Sequence, residues 1–507
     1  MTQPYSLELG LWASRTTYDD LPADVVEATK LRVLDVIGLA LAGAETPFGH
    51  SVREATVAMS PAGPCHIVGT GEAVGVTAAS FANGSFSQAM EYDDTHNESI
   101  VHMSSPSVAA ALALAELGST AARPKPDPTY SDDEPLVRSS RDAGHGGEPA
   151  GVGSGFSRTV SEISGRDLIT AIAIGNEISC RVGSVSPGQF HKLGFHPSGL
   201  FAPFGVTYLA ARLLGLDAAA MARAAGICGS FAAGILECWV DGTQPKFLHP
   251  GWAAQSGITA AFLGRAGTTG PAAVFEGRFG LFASHLQDPM VRRDFGRITN
   301  DLGTRWDSRR ASFKPFPAAH VLHPYLDALL RLRSRHGIAA ADVERIDCPV
   351  AAFIVPIVCE PIAEKVAPAS DSHGRVSLQY TLAEALVLGE LGKGAYHEES
   401  LRNPLILALA RRVQYRVDSS YPGPGHFKGE VVITLKSGQV LTDVEEFNRG
   451  SFENPMTVEE LRRKFDENAS GFLSSDARRR LAAQIHQLDR LPDASVLLGL
   501  AIGGANA

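Results

Sequence analysis

The chain has six cysteines in 507 residues, Cys65, Cys180, Cys228, Cys238, Cys348 and Cys359, and no two of them form a CxxC pair. That spacing suits neither a zinc site nor a disulfide framework, nor the closely spaced thiolates of an iron–sulfur hydratase. Long apolar runs are also lacking. The most apolar stretches, such as VLDVIGLALAGA, are too short to cross a bilayer and read as buried helices. The opening MTQPYSLELGLWASRTTYDD carries no basic segment followed by an apolar core, so no secretory signal is expected. Positive charge is in the minority, with 45 Lys and Arg against 55 Asp and Glu and a net charge of -10. Phosphate binding needs clustered cations, which argues against a nucleic-acid partner but leaves room for a local basic pocket. GxSxG, P-loop and HExxH motifs are absent, and GTGEAVG at 69–75 lacks the βαβ setting of a nucleotide loop. The expectation is a reduced, soluble protein of the cytoplasm, with a mitochondrial location left open and no membrane partner.

The chain is too long for one ordinary core, so at least two domains are expected. Residues 1–270 read as a helical domain. LPADVVEATKLRVLDVIGLALAG has entry signals at Asp20 and Pro22 and a stop at Gly43, with apolar residues on more than one face. SPSVAAALALAELG, LITAIAIGNEISCRVG and an Ala-rich pair broken at Gly215-Leu216-Asp217 continue the pattern. Residues 119–160 are rich in Pro, Gly, Ser, Asp and Arg and poor in large apolar residues, which reads as a disordered insertion. Residues 271–449 change texture. VERIDCPVAAFIV and VQYRVDSS read as strands, and GEVVITLKSGQVLTDVEE as a hairpin about Lys436-Ser437-Gly438. This is a smaller α+β domain, and amphipathic helices in 450–507 return to complete the first. The fold class is mainly α, a large helical domain with a smaller α+β lid.

Four segments carry chemistry. AMEYDDTHNESIVH gathers Glu91, Asp93, Asp94, Thr95, His96, Glu98 and His102. Metal ligation and plain helix-end capping are both open for such a cluster. HKLGFHPSG brings Lys192 and His196 to a turn before a helix, QPKFLHPGW brings Lys246 and His249, and FKPFPAAHVLHP brings Lys314 and His320. Backbone N–H groups at helix starts and nearby cations suit a carboxylate-rich ligand, and histidine titrates near neutral pH. Arg375 is a further candidate for a substrate carboxylate.

NGSFSQAMEYDDTH, GFHPSGLFAPFGV, DGTQPKFLHPGWAAQSG and FKPFPAAHVLHPYLDA resemble the MmgE/PrpD family, from about Leu9 to Leu491. That family includes 2-methylcitrate dehydratases, cis-aconitate decarboxylases and an iminodisuccinate epimerase. The resemblance implies a homodimer and catalysis without metal or organic cofactor. It maps an acid–Thr–His set onto Glu91, Thr95 and His102, and a lysine onto Lys246. Glu91 stands where the family pattern has Asp, and Met-Ser-Ser-Pro follows His102 where His-Pro-Ser is commoner. The implied activity is a lyase reaction on a small polycarboxylate. Dehydration of 2-methylcitrate or a related alkylcitrate is preferred, with decarboxylation of cis-aconitate to itaconate as the alternative. Epimerisation of an amino-diacid and a non-catalytic role also stay open. In the expected site His102, Glu91, Asp94 and Thr95 are catalytic. Lys246, Lys192, His196, His249, Lys314, His320 and Arg375 bind substrate.

Overall fold

The computed structural model describes residues 3–122, 160–423 and 425–502. Of the expected insertion at 119–160, residues 123–159 lie outside the described residues. Two apolar cores organise the rest. The first runs from Leu9 to Ala311 and resumes at Phe465–Ala501; the second runs from Phe316 to Leu441. From texture alone the second unit is expected to start at 271. Phe275, Phe282 and Ile298 sit in the first core because their side chains pack among its helices.

The first core is helical. Helix α1 (Ala23–Ala44) is buried along almost its whole last half, as its all-round apolar sequence requires. It packs on α2 (Val76–Gln88), which packs on α3 (Ser104–Ala122). Helix α4 (Gly165–Gly183) starts at Ser164, whose side chain accepts the Asp167 N–H, a standard N-cap. It lies against α5 (Pro197–Leu213), and α5 lies against α6 (His249–Arg265). A C-terminal helix, Val458–Ala469, opens on a Thr457/Glu460 capping box and packs on α1 through Phe465. No described helix is long and apolar enough to cross a membrane.

The second core is α+β. Its helices include α7 (His323–His336) and α8 (Leu378–Leu388). Four strands, β1 (Val343–Val350), β2 (Val413–Val417), β3 (Gly429–Leu435) and β4 (Val440–Glu445), lie in the order β2-β1-β3-β4. The β1–β2 pair is parallel and the others antiparallel. The apolar run that predicts a strand through residue 355 leaves the sheet at Val350. There its partner β2 ends at Val417, and pairing with β3 has already ended at Asp347. Residues 352–354 instead form a tight 3₁₀ turn and residues 355–359 a wider π turn.

Helices α2 and α6 cross where glycine meets glycine. A Cβ on Gly251 would lie 2.2 Å from both the Phe81 carbonyl oxygen and Ser85 Oγ. This contact sets the distance between the segment that leaves α2 toward Glu91 and the one that enters α6 from Lys246. Gly251→Ala is therefore expected to destabilise the fold by about 1–3 kcal/mol through overpacking, measured as a lower midpoint of thermal unfolding.

Candidate active site

The chain leaves α2 in a tight turn. Glu91 adopts φ 55°, a left-handed conformation uncommon for a residue with a side chain. Its N–H donates to the Gln88 carbonyl at 3.0 Å, and its own carbonyl accepts from Lys314 Nζ at 3.1 Å. Beyond it, Thr95 and His96 pair antiparallel with Ser312 and Ala311. Glu177 on α4 steadies that second segment by accepting the N–H groups of Asp307 and Ser308, both at 2.9 Å. The two-residue ladder thus carries Lys314 up to Glu91 across more than 200 positions of sequence.

These elements surround a cavity of about 680 Å³ at the meeting of the two cores. Glu91, Thr95, His102, Lys192, His196, Lys246, Lys314 and His320 all line it. Three expected residues do not. The Asp94 carboxylate turns away to pair with Arg32 and accept from Ser104 Oγ at 2.6 Å. His249 sits behind His196, with their Nδ1 atoms 2.8 Å apart. Arg375 donates to the carbonyls of Met90 at 3.0 Å and Pro317 at 2.9 Å, and lies over the Tyr396 ring. It braces the junction of the cores, because loop carbonyls there need a buried donor.

His102 is held through one nitrogen. Its Nδ1 lies 2.9 Å from the Asp94 carbonyl, 3.1 Å from Thr95 Oγ1 and 3.3 Å from Asp93 Oδ1. Its backbone N–H donates to Ser198 Oγ at the start of α5. With Nδ1 occupied, Nε2 is the nitrogen that can meet a ligand. Asp93, not Asp94, supplies the carboxylate behind the ring. Burial would raise the Asp93 carboxyl, but His102 and Lys314 overcome it and hold it far below the usual range. The same contest holds Glu91 at about 2: burial pushes up, and Lys246, Lys314 and His102 push down harder. Lys246 makes a short contact with Glu91 Oε1, and Lys314 Nζ is 3.7 Å from Oε2.

Burial first, then neighbouring cations, holds His196 and His320 well below the usual range and His191 and His249 at about 4. They are neutral near pH 7 and serve as hydrogen-bonding groups. His320 Nε2 is already engaged with Asn448 Nδ2 at 2.8 Å. Among the described residues, no group of three or more His, Cys, Asp or Glu side chains is placed to hold a metal ion.

Sequence reasoning missed Asn97, His191 and Trp239, all of which line the cavity. His191 adjoins Lys192 and could have been read with it. Trp239, whose ring faces Lys246 Nζ at 5.7 Å, gives no sequence signal. Charged side chains lining the cavity comprise Lys192, Lys246 and Lys314 against Glu91 alone. Such a surplus of cations, partly desolvated, suits an anion of more than one charge.

The chain is 26% identical to a cis-aconitate decarboxylase-like protein, oryM, of Aspergillus oryzae, covering 98% of this chain and 97% of that one. It is 26% identical to the cis-aconitate decarboxylase of Aspergillus terreus, over 97% and 95% of the two chains. The human cis-aconitate decarboxylase is likewise 26% identical, over 94% and 90%. The MmgE/PrpD N-terminal domain matches residues 8–294 and the MmgE/PrpD C-terminal domain residues 316–490. By these matches, which take in the loop of Glu91 and His102 and the segments of Lys246 and His320, the chain belongs to the MmgE/PrpD family.

Proposed function

We propose that this protein is a lyase that removes CO2 from a cis-aconitate-type polycarboxylate. The observation that carries the reading is the convergence of His102, Lys246 and Lys314, from three distant segments, on one cavity. In such a reaction the carbon–carbon bond to the leaving carboxyl breaks and its electron pair forms a new double bond to the central carbon. The former alkene pair then takes up a proton at the next carbon. Negative charge spreads onto a carboxylate during the step, and buried ammonium groups stabilise it strongly. His102, through Nε2, is the proton donor, and Asp93 Oδ1 stands 3.3 Å behind its Nδ1. Thr95 and neutral His196 orient the carboxylates.

Decarboxylation needs one proton donor. Dehydration, the reading preferred from sequence alone, needs in addition a base for the substrate's α-hydrogen. Glu91, at about 2, is a weak base, and His196 and His320 are weaker bases than an ordinary imidazole. The relatives' names point the same way. Epimerisation would ask for two such groups on opposite faces of one carbon. The test is direct: purified protein is incubated with cis-aconitate, citrate and 2-methylcitrate. Release of CO2 and appearance of a methylene diacid are expected. Loss of water from a citrate without CO2 would restore the dehydratase reading.

A further inference from the structure

Resting on that reading of the site, we infer that Asn448 is a positioning residue: its amide places the hydrogen of His320 on Nδ1 and makes the ring a donor to a substrate carboxylate. His320 lines the cavity, and its Nδ1 is buried with no hydrogen-bond partner among the described residues. Such orphaned atoms are uncommon in folded proteins. In a ring that lines a ligand cavity, the ligand can supply the partner. What Nδ1 does there is decided at the other nitrogen, since a neutral imidazole carries one hydrogen and one lone pair. The ring does not gain a second donor by charging. Burial first, then His323, Lys314 and His102, hold it well below the usual range.

Asn448 is fully buried, and its Nδ2 lies 2.8 Å from His320 Nε2. A second neighbour fixes which end of the amide stands there. Nδ2 is also 3.5 Å from Ser312 Oγ, whose own hydrogen goes to Asn97 Oδ1 at 3.2 Å. Ser312 can therefore only accept from Asn448, and an amide nitrogen has a hydrogen for each neighbour. In this orientation Asn448 Oδ1 is left without a partner. Turned over, the amide would leave two hydrogens unpartnered in the same place, which is worse. With Nδ2 as the donor, His320 Nε2 holds the lone pair and Nδ1 the hydrogen. The rings of His323 and Phe427, at 5.0 and 5.2 Å, hold the imidazole in place. The backbone fixes Asn448 without help from its side chain. Its N–H donates to the Phe427 carbonyl at 3.1 Å, and the Gly450 carbonyl accepts the Phe313 N–H at 3.0 Å. The outcome is a donor that adds no charge to a cavity already lined by three lysines.

The test measures calorimetric binding of tricarballylate, a saturated triacid without the reacting double bond, to the full chain, together with turnover of cis-aconitate. A side-chain amide on Asn reaches the place of ring Nδ1, and one on Gln the place of Nε2. His320→Asn should therefore bind tricarballylate about tenfold more tightly than His320→Gln, the worth of a hydrogen bond to a charged group. Asn448→Ala should weaken binding about fivefold in the otherwise wild-type chain, near the net worth of one ordinary hydrogen bond. In the His320→Asn background the same change should cost almost nothing, because no tautomer remains to be set. An Asn448 that only props its loop would weaken binding in both backgrounds alike. The His320 pair leaves Asn448 untouched and decides the matter if Asn448→Ala fails to fold. Equal binding by His320→Asn and His320→Gln, or an Asn448→Ala loss that persists in the His320→Asn background, overturns the inference. Wild-type binding and turnover then leave the site reading standing. A wild-type protein that neither binds tricarballylate nor turns over cis-aconitate defeats that reading and the inference with it.

Discussion

Replacing His102 by Asn is expected to slow turnover of the proposed substrate by about 100- to 10,000-fold while the protein stays folded. The choice of Asn follows from the geometry. Its amide N–H₂ reaches where the ring Nδ1 stands and keeps a donor to the Asp94 carbonyl, now 2.9 Å from Nδ1. What it removes is Nε2, the nitrogen that faces the substrate. A residue that merely props the loop would be rescued by this swap, and activity would survive. The loss should fall on kcat more than on KM, because the lysines still hold the carboxylates. Near-wild-type kcat in a folded His102→Asn protein would remove the proton donor from the mechanism.

The contrast between His102 and its neighbours shows how far sequence could reach. Helices α1, α3 and α4 were legible because their apolar periodicity and capping signals are local properties. The α+β texture of 343–445 was legible for the same reason, since strand alternation and a Lys436-Ser437-Gly438 turn are also local. The convergence of Lys246, Lys314 and His102 was foreseeable only as a wager on long motifs. What fixes it is the pairing of Thr95–His96 with Ala311–Ser312 and the Gly84–Gly251 crossing, both contacts between distant segments. Asp93 and Asp94 could not be told apart from sequence: they are adjacent and chemically alike. Their difference arises from Arg32, which reaches across from α1 and captures one of them. Arg375 misled for a related reason. A buried guanidinium can serve a substrate or brace a carbonyl, and only the positions of Met90 and Pro317 decide between these.

Lys246 offers a test in which stability and activity should part company. Lys246→Met leaves the buried Glu91 carboxylate with Lys314 as its nearest cation, at 3.7 Å. Breaking a buried pair from one side costs about 3–5 kcal/mol, and the remaining lysine puts the expected loss near the lower bound. The acid limit should move as well. In the wild-type protein Glu91 is held at about 2, below its ordinary value of 4.5. Its contribution is present above about pH 4.5 and is lost as pH falls toward 2. Without Lys246 that folded value rises, so acid unfolding should begin at higher pH. Adding Glu91→Gln to Lys246→Met removes both charges, and most of the stability should return. Activity should not return. An ammonium that meets the developing carboxylate charge is gone in both variants, and its loss costs about 100- to 1,000-fold. Urea unfolding and kcat/KM measured on the single and double variants separate the two roles. If the double variant recovers turnover along with stability, Lys246 is a counterion for Glu91 and nothing more. If stability recovers alone, the pair has two functions: Glu91 fixes the lysine in a buried place, and the lysine acts on the substrate.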